Sequence, residues 1–304
     1  MYDDDDVAVA TAKDSSVPSP AELNAEMQRF GQVLSAAVSG PPIELPSYPI
    51  GALRVQRVLM DPNAGTERVI TIIQSEPVLA ARIIMMANSA ALNRSGKQIS
   101  DLRSAVSRLG FDPLRTAAIS FAMAQLRNAP AYRSIAEPMK QLWQHSVEMA
   151  ATSRVLSRQF EGTTPDSAML AGLVSGMGKL YILTHTGEFP LLFADEYMRR
   201  EINLHWHTQI ARSILQNWQF PADVIEAVAG MEHAAQDGRN RPALADGLSC
   251  AQLILELKQF PDRLAAGLAG SRAAQRLGLN ADLCTLLLTQ SARELADLRN
   301  ALGG

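Results

Sequence analysis

The chain has little cysteine, few aromatic residues and no pattern typical of β-strands. Its 304 residues include two cysteines, Cys250 and Cys284, and aromatic residues make up 5% of the total. Neither cysteine has a CxxC partner, so their number and spacing exclude a zinc finger. Both lie in apolar stretches, which predicts buried free thiols and a reducing compartment. Alternating runs of Val, Ile and aromatic residues are also missing, and this absence argues against a β-sheet fold.

Long hydrophobic runs and an excess of one charge are missing as well. Lys and Arg number 28 against 31 Asp and Glu, which gives a formal net charge of −3. This balance argues against a general attraction to nucleic acid or to an anionic membrane. The longest apolar runs, 116–126 and 168–178, have about half of the roughly 18 residues that span a bilayer. Asp3 to Asp6 stand where a signal peptide carries positive charge, so we expect a cytoplasmic protein. From the charge balance and the short apolar runs we expect neither nucleic-acid nor membrane partners.

Helical periodicity is what the sequence does contain. Residues 1–20 are acidic and then contain several Ser and Pro residues, which predicts a flexible tail. Between Leu23 and Val38 apolar residues recur at helical spacing, and this helix is predicted to end at Gly40. The same periodicity predicts further helices at 51–60, 66–74, 77–88, 101–109, 113–126, 139–160, 165–183, 206–218, 221–231, 242–258 and 281–298.

The helical pattern is interrupted once in a way that indicates a domain boundary. Residues 128–138 contain two prolines and no apolar periodicity. The sequence therefore predicts an all-α protein built from two packed helical bundles. The N-terminal helical subdomain is expected over 21–130 and the C-terminal one over 131–304.

A glycine-containing segment from Leu170 to Leu180 carries the most information about function. It is not a Walker A phosphate loop, because five residues separate Gly172 from Gly178 and Leu180 follows the lysine where Ser or Thr is required. Gly172 and Gly176 are four residues apart, so on one helix they would let another backbone approach closely. Residue chemistry alone favours a tightly packed core helix.

The same segment resembles the Gly-Leu-Leu-His-Asp-Ile-Gly-Lys-Leu motif of the HDOD family. The members of this family are helical bacterial signalling domains related to the HD phosphohydrolases. Ser175 and Gly176 stand at the His-Asp positions. Other segments that are similar to the family's signatures are Leu45-Pro46, Ser75 to Leu79, Ala87 to Ala90, Leu109-Gly110, Leu142 to Ser146, His207, Trp218 and Pro221. The resemblance covers about 45–256 and implies an all-helical fold whose HD-like half follows about Tyr132.

The resemblance also implies a metal site that has lost its ligands. In HD enzymes, His and carboxylate side chains hold divalent metals that activate water for phosphoester hydrolysis. His145 matches the first metal-binding His, and the later aspartate aligns near Gln252, six residues beyond Asp246. With Ser175 and Gly176 at the central pair, we expect no catalytic residue and no cofactor.

A rebuilt metal site is the alternative. His145 and Glu148 share a helix face, and His185, His207 and His233 could converge on them. His205 and His207 cannot chelate together, because two residues rotate a helix by about 200°. A surviving metal would then be held by His145, His207 and His233.

Several other residues have both a structural and a functional interpretation. Trp143 and Trp218 lie among apolar helical positions, which favours a core role over a pocket role. Lys179 could meet a phosphate or extend to water, and the loop 237–241 is too small for a nucleic-acid site. Four methionines could fill the core or equip an adaptable partner surface: Met85, Met86, Met123 and Met139.

These observations predict a non-catalytic signalling protein that binds other proteins as separate chains. A groove between the two bundles, near His145, Ser175, Gly176 and His207, is the expected place for a peptide or ligand. Its other possible contacts are Trp143, Glu148, Lys179 and His233. Two alternatives stay open: a divergent metal-dependent phosphohydrolase acting on a nucleotide or cyclic dinucleotide, and a nucleotide sensor without hydrolysis.

Overall fold

The computed structural model describes residues 19–40, 43, 50–61, 63–93, 95–238 and 243–302, and these residues form helices and no strands. Two short 3-10 helices, Pro130–Ile135 and Ser157–Gln159, accompany the α-helices. The α-helices are α1 Pro20–Ser39, α2 Ile50–Met60, α3 Thr66–Gln74, α4 Pro77–Ala87, α5 Leu102–Leu109, α6 Phe111–Arg127, α7 Ala136–Leu156, α8 Pro165–Val174, α9 Met177–Thr184, α10 Pro190–Ala194, α11 Glu196–Asn217, α12 Ala222–Gly230, α13 Leu244–Leu257, α14 Pro261–Gly270, α15 Arg272–Arg276, α16 Ala281–Gln290 and α17 Ala292–Leu302.

The all-α prediction is confirmed. The predicted tail, apart from Ser19 and Pro20, lies outside the described residues, as do the turn at 45–49 and most of the loop 237–241. The division near residue 130 stays a prediction. At that point the 3-10 helix Pro130–Ile135 leads directly into α7.

Local sequence explains where many helices begin. The Thr164 hydroxyl accepts a hydrogen bond from the Ser167 amide at 3.0 Å, and Pro165 occupies the first helical position of α8. The Asp195 carboxylate accepts one from the Met198 amide at 2.9 Å and starts α11. Such caps satisfy amide groups that have no partner inside the helix.

Three predicted helices differ markedly from the structure, and α10, α14 and α15 have no counterpart among the predicted helices. The segment 165–183 is two helices, α8 and α9, which meet at Ser175, and the segment 281–298 divides into α16 and α17 at Ser291. Helix α11 begins ten residues before the predicted start at Trp206. Its first turns are mostly charged or polar, so they lack the apolar periodicity by which helices are detected.

The helices form one continuous hydrophobic core. Helices α2 to α6 pack mainly on one another, while α7 packs most extensively on α8, and α9 on α11. Helix α6 also contacts α7 and α8, and the C-terminal α17 contacts α4, α6 and α7. Both groups of helices therefore contribute side chains to the same core.

The first helix packs against the second half of the chain. Glu26 in α1 is buried, and its Oε1 accepts hydrogen bonds from the amides of Leu191 at 3.0 Å and Leu192 at 3.4 Å, at the start of α10. The Phe30 ring lies 4.7 Å from the Phe189 ring between their centroids. These contacts hold the segment that connects α9 to α11 against α1.

Two glycines set the distances between helices in the second half. A Cβ atom at Gly172 in α8 would lie 2.6 Å from the Met149 carbonyl oxygen in α7. A Cβ atom at Gly178 in α9 would lie 1.8 Å from the His207 carbonyl oxygen in α11. The close backbone approach predicted at residues 172 and 176 is therefore made at 172 and 178 instead.

One apolar segment, Pro165–Thr184, is long and apolar enough to cross a membrane by length and composition. It comprises α8 and α9, and 72% of its most apolar window is buried inside the fold. Its hydrophobic character matches its place in the core.

Substitution of Gly178 tests the role of the α9 contact. We expect Gly178→Ala to lower the free energy of unfolding by about 3 kcal/mol, because the new methyl group must push α9 away from α11. Gly31→Ala is the control: nothing lies within 4 Å of a Cβ there, in the interior of α1, so stability should rise by about 0.5–1 kcal/mol. Urea unfolding curves measure both changes. An unchanged midpoint for Gly178→Ala would contradict the close contact.

Candidate functional site

Ser175 and Gly176 form the junction between α8 and α9. Ser175 is buried, and its hydroxyl donates a hydrogen bond to the Gly172 carbonyl oxygen at 2.7 Å. A Cβ atom on Gly176 would lie 2.6 Å from Ser146 Oγ of α7. The space beside residue 176 is thus filled from α7, and a carboxylate there would have to displace Ser146.

His207 and Glu232 make a partly buried hydrogen bond beside this junction. His207 in α11 is 1% exposed, and its Nε2 lies 2.8 Å from Glu232 Oε1, in the turn after α12. Burial lowers the pKa of His207, the hydrogen bond to Glu232 opposes that shift, and the nearby charge of Lys179 adds to it. The hydrogen bond from His207 is the largest cause that lowers the pKa of Glu232. The pair is best described as a neutral imidazole that donates Nε2–H to a carboxylate.

His145 is a second imidazole held neutral near the same place. It is partly buried in α7, and burial lowers its pKa. The charge of Lys179 lowers the pKa of His145 further, whereas Glu256 and Glu148 partly offset the shift. Lys179 lines the cavity described below together with His207 and Glu232.

Gln252 joins the site from α13. Its Nε2 donates a hydrogen bond to Glu256 Oε1 at 3.0 Å, one helical turn later. A hydrogen bond from Gln252 also lowers the pKa of Glu232. Gln252 therefore connects the carboxylates of α13 and of the turn after α12, and its amide offers a metal much weaker ligation than the aspartate implied by the resemblance.

Other residues singled out in the sequence lie elsewhere. Trp143 is buried in the core, and His233 is exposed and does not line the cavity described below. Glu148 is bound by Arg299, with Arg299 Nε 2.6 Å from Glu148 Oε1, rather than facing a metal with His145. Asp246 is fully buried against Arg276 at 2.6 Å.

The set His145, His207 and His233 is not assembled as metal ligands. Among the residues that the structure describes, no three His, Cys, Asp or Glu side chains are grouped to hold a metal ion. A divalent metal does not fit the side chains present, because two of the implied positions offer a serine hydroxyl tied to the backbone and no side chain at all.

A cavity of about 1100 Å³ opens beside the His207–Glu232 pair. Helices α7, α9, α10, α11 and α13 contribute to its walls. Its polar residues are Gln141, Lys179, Glu196, Arg199, Arg200, Glu201, Asn203, His207, Glu232, Gln252 and Glu256. Its apolar and aromatic residues are Pro138, Leu142, Ile182, Leu183, Phe193, Tyr197 and Leu204.

The sequence identified three residues of this cavity, Lys179, His207 and Gln252, and missed Glu232 and the first turns of α11. Glu232 directly precedes the predicted His233, and in the folded chain Glu232 lines the cavity whereas His233 does not. The polar residues of α11 could have been found from their spacing of three and four along one helix face.

Comparison with proteins of known structure agrees with this architecture. A Shewanella amazonensis protein described as a candidate metal-dependent phosphohydrolase is 26% identical, with a TM-score of 0.68 and coverage of 92% of this chain and 99% of that one. An HDOD domain protein of unknown function from Geobacter sulfurreducens is 20% identical, with a TM-score of 0.59 and coverage of 92% and 98%. The second likeness concerns the fold alone.

The sequence comparisons extend over most of the same region. An uncharacterised protein of Treponema pallidum is 22% identical over 231 residues, which are 70% of this chain and 43% of that protein. The chain thus spans less than half the length of this curated relative. The model of the HDOD domain matches residues 45–234, more than half of the chain. This protein is a member of the HDOD domain family.

Proposed function

We propose that this chain is a non-catalytic regulatory protein of the HDOD family, which acts in the cytoplasm by binding other signalling proteins. The observation that carries the proposal is the state of the former metal positions. Ser175 bonds to the backbone, Gly176 lies against Ser146, and Gln252 bonds to neighbouring carboxylates. Hydrolysis of a phosphoester in an HD-type site needs a bound metal to polarise the substrate and activate water.

The two remaining imidazoles support the same conclusion. His207 already donates its Nε2–H to Glu232, and burial and the charge of Lys179 lower the pKa of His145. His207 Nε2 would have to give up Glu232 before it could bind a metal, and Ser175 and Gly176 offer no imidazole or carboxylate to complete a ligand set.

An exposed face of α4 is consistent with protein binding. Val78 is 61% exposed and Met85 is 55% exposed, and their spacing of seven residues places them on one side of the helix. Met86, Met123 and Met139 are buried in the core, so of the four methionines considered Met85 is the one available to a partner.

Metal analysis and a hydrolysis assay test the proposal. We expect protein purified without chelators to contain far less than one iron, manganese or zinc ion per chain, because the ligand set is incomplete. Bis-p-nitrophenyl phosphate and cyclic dinucleotides should not be hydrolysed when these metals are added. Stoichiometric metal that is lost in His145→Ala but kept in the control His205→Ala, which alters an exposed histidine of α11, would show a rebuilt metal site and contradict the proposal.

The pH dependence of stability tests whether both imidazoles are neutral structural groups. The pKa of each is lower in the folded chain than the value of about 6.5 expected when unfolded, so the unfolded chain binds more protons. Stability should be complete above about pH 7 and fall as the pH decreases through 6.5. In urea unfolding, His145→Gln and His207→Gln should each flatten this dependence between about pH 7 and pH 5. Equal pH profiles for the wild-type protein and both variants would refute the assignment.

A further inference from the structure

Three cations line the cavity beside the former metal positions without forming ion pairs to the described residues. Lys179, Arg199 and Arg200 line it, and within the described chain none of the three forms an ion pair. Glu232, by contrast, accepts hydrogen bonds from His207 and Gln252, and Glu256 accepts one from Gln252. The carboxylates of Glu232 and Glu256 are therefore engaged in hydrogen bonds, and the three cations are available to a ligand.

Helix α11 presents a polar stripe to this cavity. Arg199 and Arg200 precede Asn203 by four and three residues, and His207 follows it by four, so these side chains share one helix face. Asn203 Nδ2 donates to the Arg199 carbonyl oxygen at 2.8 Å, but Asn203 Oδ1 is buried and accepts no hydrogen bond from the residues described. A buried acceptor of this kind needs a donor from water or from a ligand.

The same cavity also contains flat and apolar surface. Tyr197, in the first turn of α11, is 69% exposed, and Phe193 and Ile182 form part of the wall. An exposed tyrosine ring offers a face on which a planar group can stack. The volume of about 1100 Å³ is sufficient for a small organic molecule.

The balance of charges indicates what kind of molecule fits. Three cations and four carboxylates, Glu196, Glu201, Glu232 and Glu256, line the cavity, so it is not a site for a bare anion. The lining suits a molecule that combines an anionic group, hydrogen-bond donors and a flat ring. Nucleotides combine these three features in their phosphates, in their base and ribose donors, and in the base itself.

We propose that this cavity binds a nucleotide without hydrolysing it, with Lys179, Arg199 and Arg200 recognising phosphate, Tyr197 stacking on the base and Asn203 accepting a hydrogen bond from the ligand. Arginine and lysine are the side chains that commonly hold phosphate oxygens. The inference goes beyond the regulatory role proposed above and identifies a site for a small-molecule signal.

Calorimetric titration of the full chain tests the site. The probes are AMP, GMP, GTP, cyclic di-AMP and cyclic di-GMP, with adenosine, guanosine and inorganic phosphate as comparisons. We expect at least one nucleotide to bind, and its nucleoside and free phosphate to bind at least about tenfold more weakly, a difference of about 1.4 kcal/mol. Heat changes indistinguishable from dilution for every nucleotide at millimolar concentration would overturn the proposal.

Matched variants locate the binding within the cavity. Lys179→Met and Arg200→Ala should each weaken binding about tenfold or more, and Tyr197→Ala should weaken it several-fold. Arg200 and Tyr197 are exposed, so these two variants keep the test valid even if Lys179→Met folds poorly. Arg212→Ala is the control, because Arg212 lies on α11 but pairs with Glu226 outside the cavity.

The outcomes separate this site from the proposed function. Wild-type affinity in all three cavity variants would place the nucleotide elsewhere and refute the site. Hydrolysis of a nucleotide whose binding the variants weaken would support the site but refute its non-hydrolytic character and the non-catalytic role. An absence of both binding and metal would leave the non-catalytic role supported and remove the site.

Discussion

The backbone contact between α9 and α11 is the constraint on which the arrangement of the site depends. At Gly178 the two helices approach so closely that a single methyl group would overlap the His207 carbonyl oxygen. This approach brings Lys179, the next residue of α9, to the same cavity as His207 and its partner Glu232. The charge of Lys179 lowers the pKa of His207 and of His145 and so favours their neutral imidazole forms.

Close packing and hydrogen bonds hold the helices around the cavity together. A metal centre joins helices by coordination, which requires several carboxylates and imidazoles directed at one point. Here the helices are joined by close-packed glycines and by the chain of hydrogen bonds from His207 through Glu232 to Gln252. The Ser175 hydroxyl bonds within its own helix, to the Gly172 carbonyl oxygen.

Much of the fold is predictable because helix signals are local. Periodicity and capping residues locate most helices, and the resemblance to the family's motifs brings His207, Lys179 and Gln252 into consideration on sequence alone. The first half of α11 is not detected from the sequence because it faces a polar cavity and therefore lacks apolar periodicity. Glu232 is not identified from the sequence because the expected residue is its neighbour His233, and adjacent residues in a turn face different directions.

The packing of α1 against the start of α10 joins distant parts of the chain. Glu26 binds the start of α10 across a separation of 165 residues, and α10 leads into the wall of the cavity. Closing so long a loop has a large entropic cost and slows the formation of the contact. During synthesis, α1 can make this contact only after α10 has left the ribosome, 165 residues later. The contact that holds the start of α10 therefore depends on the earliest helix of the described chain.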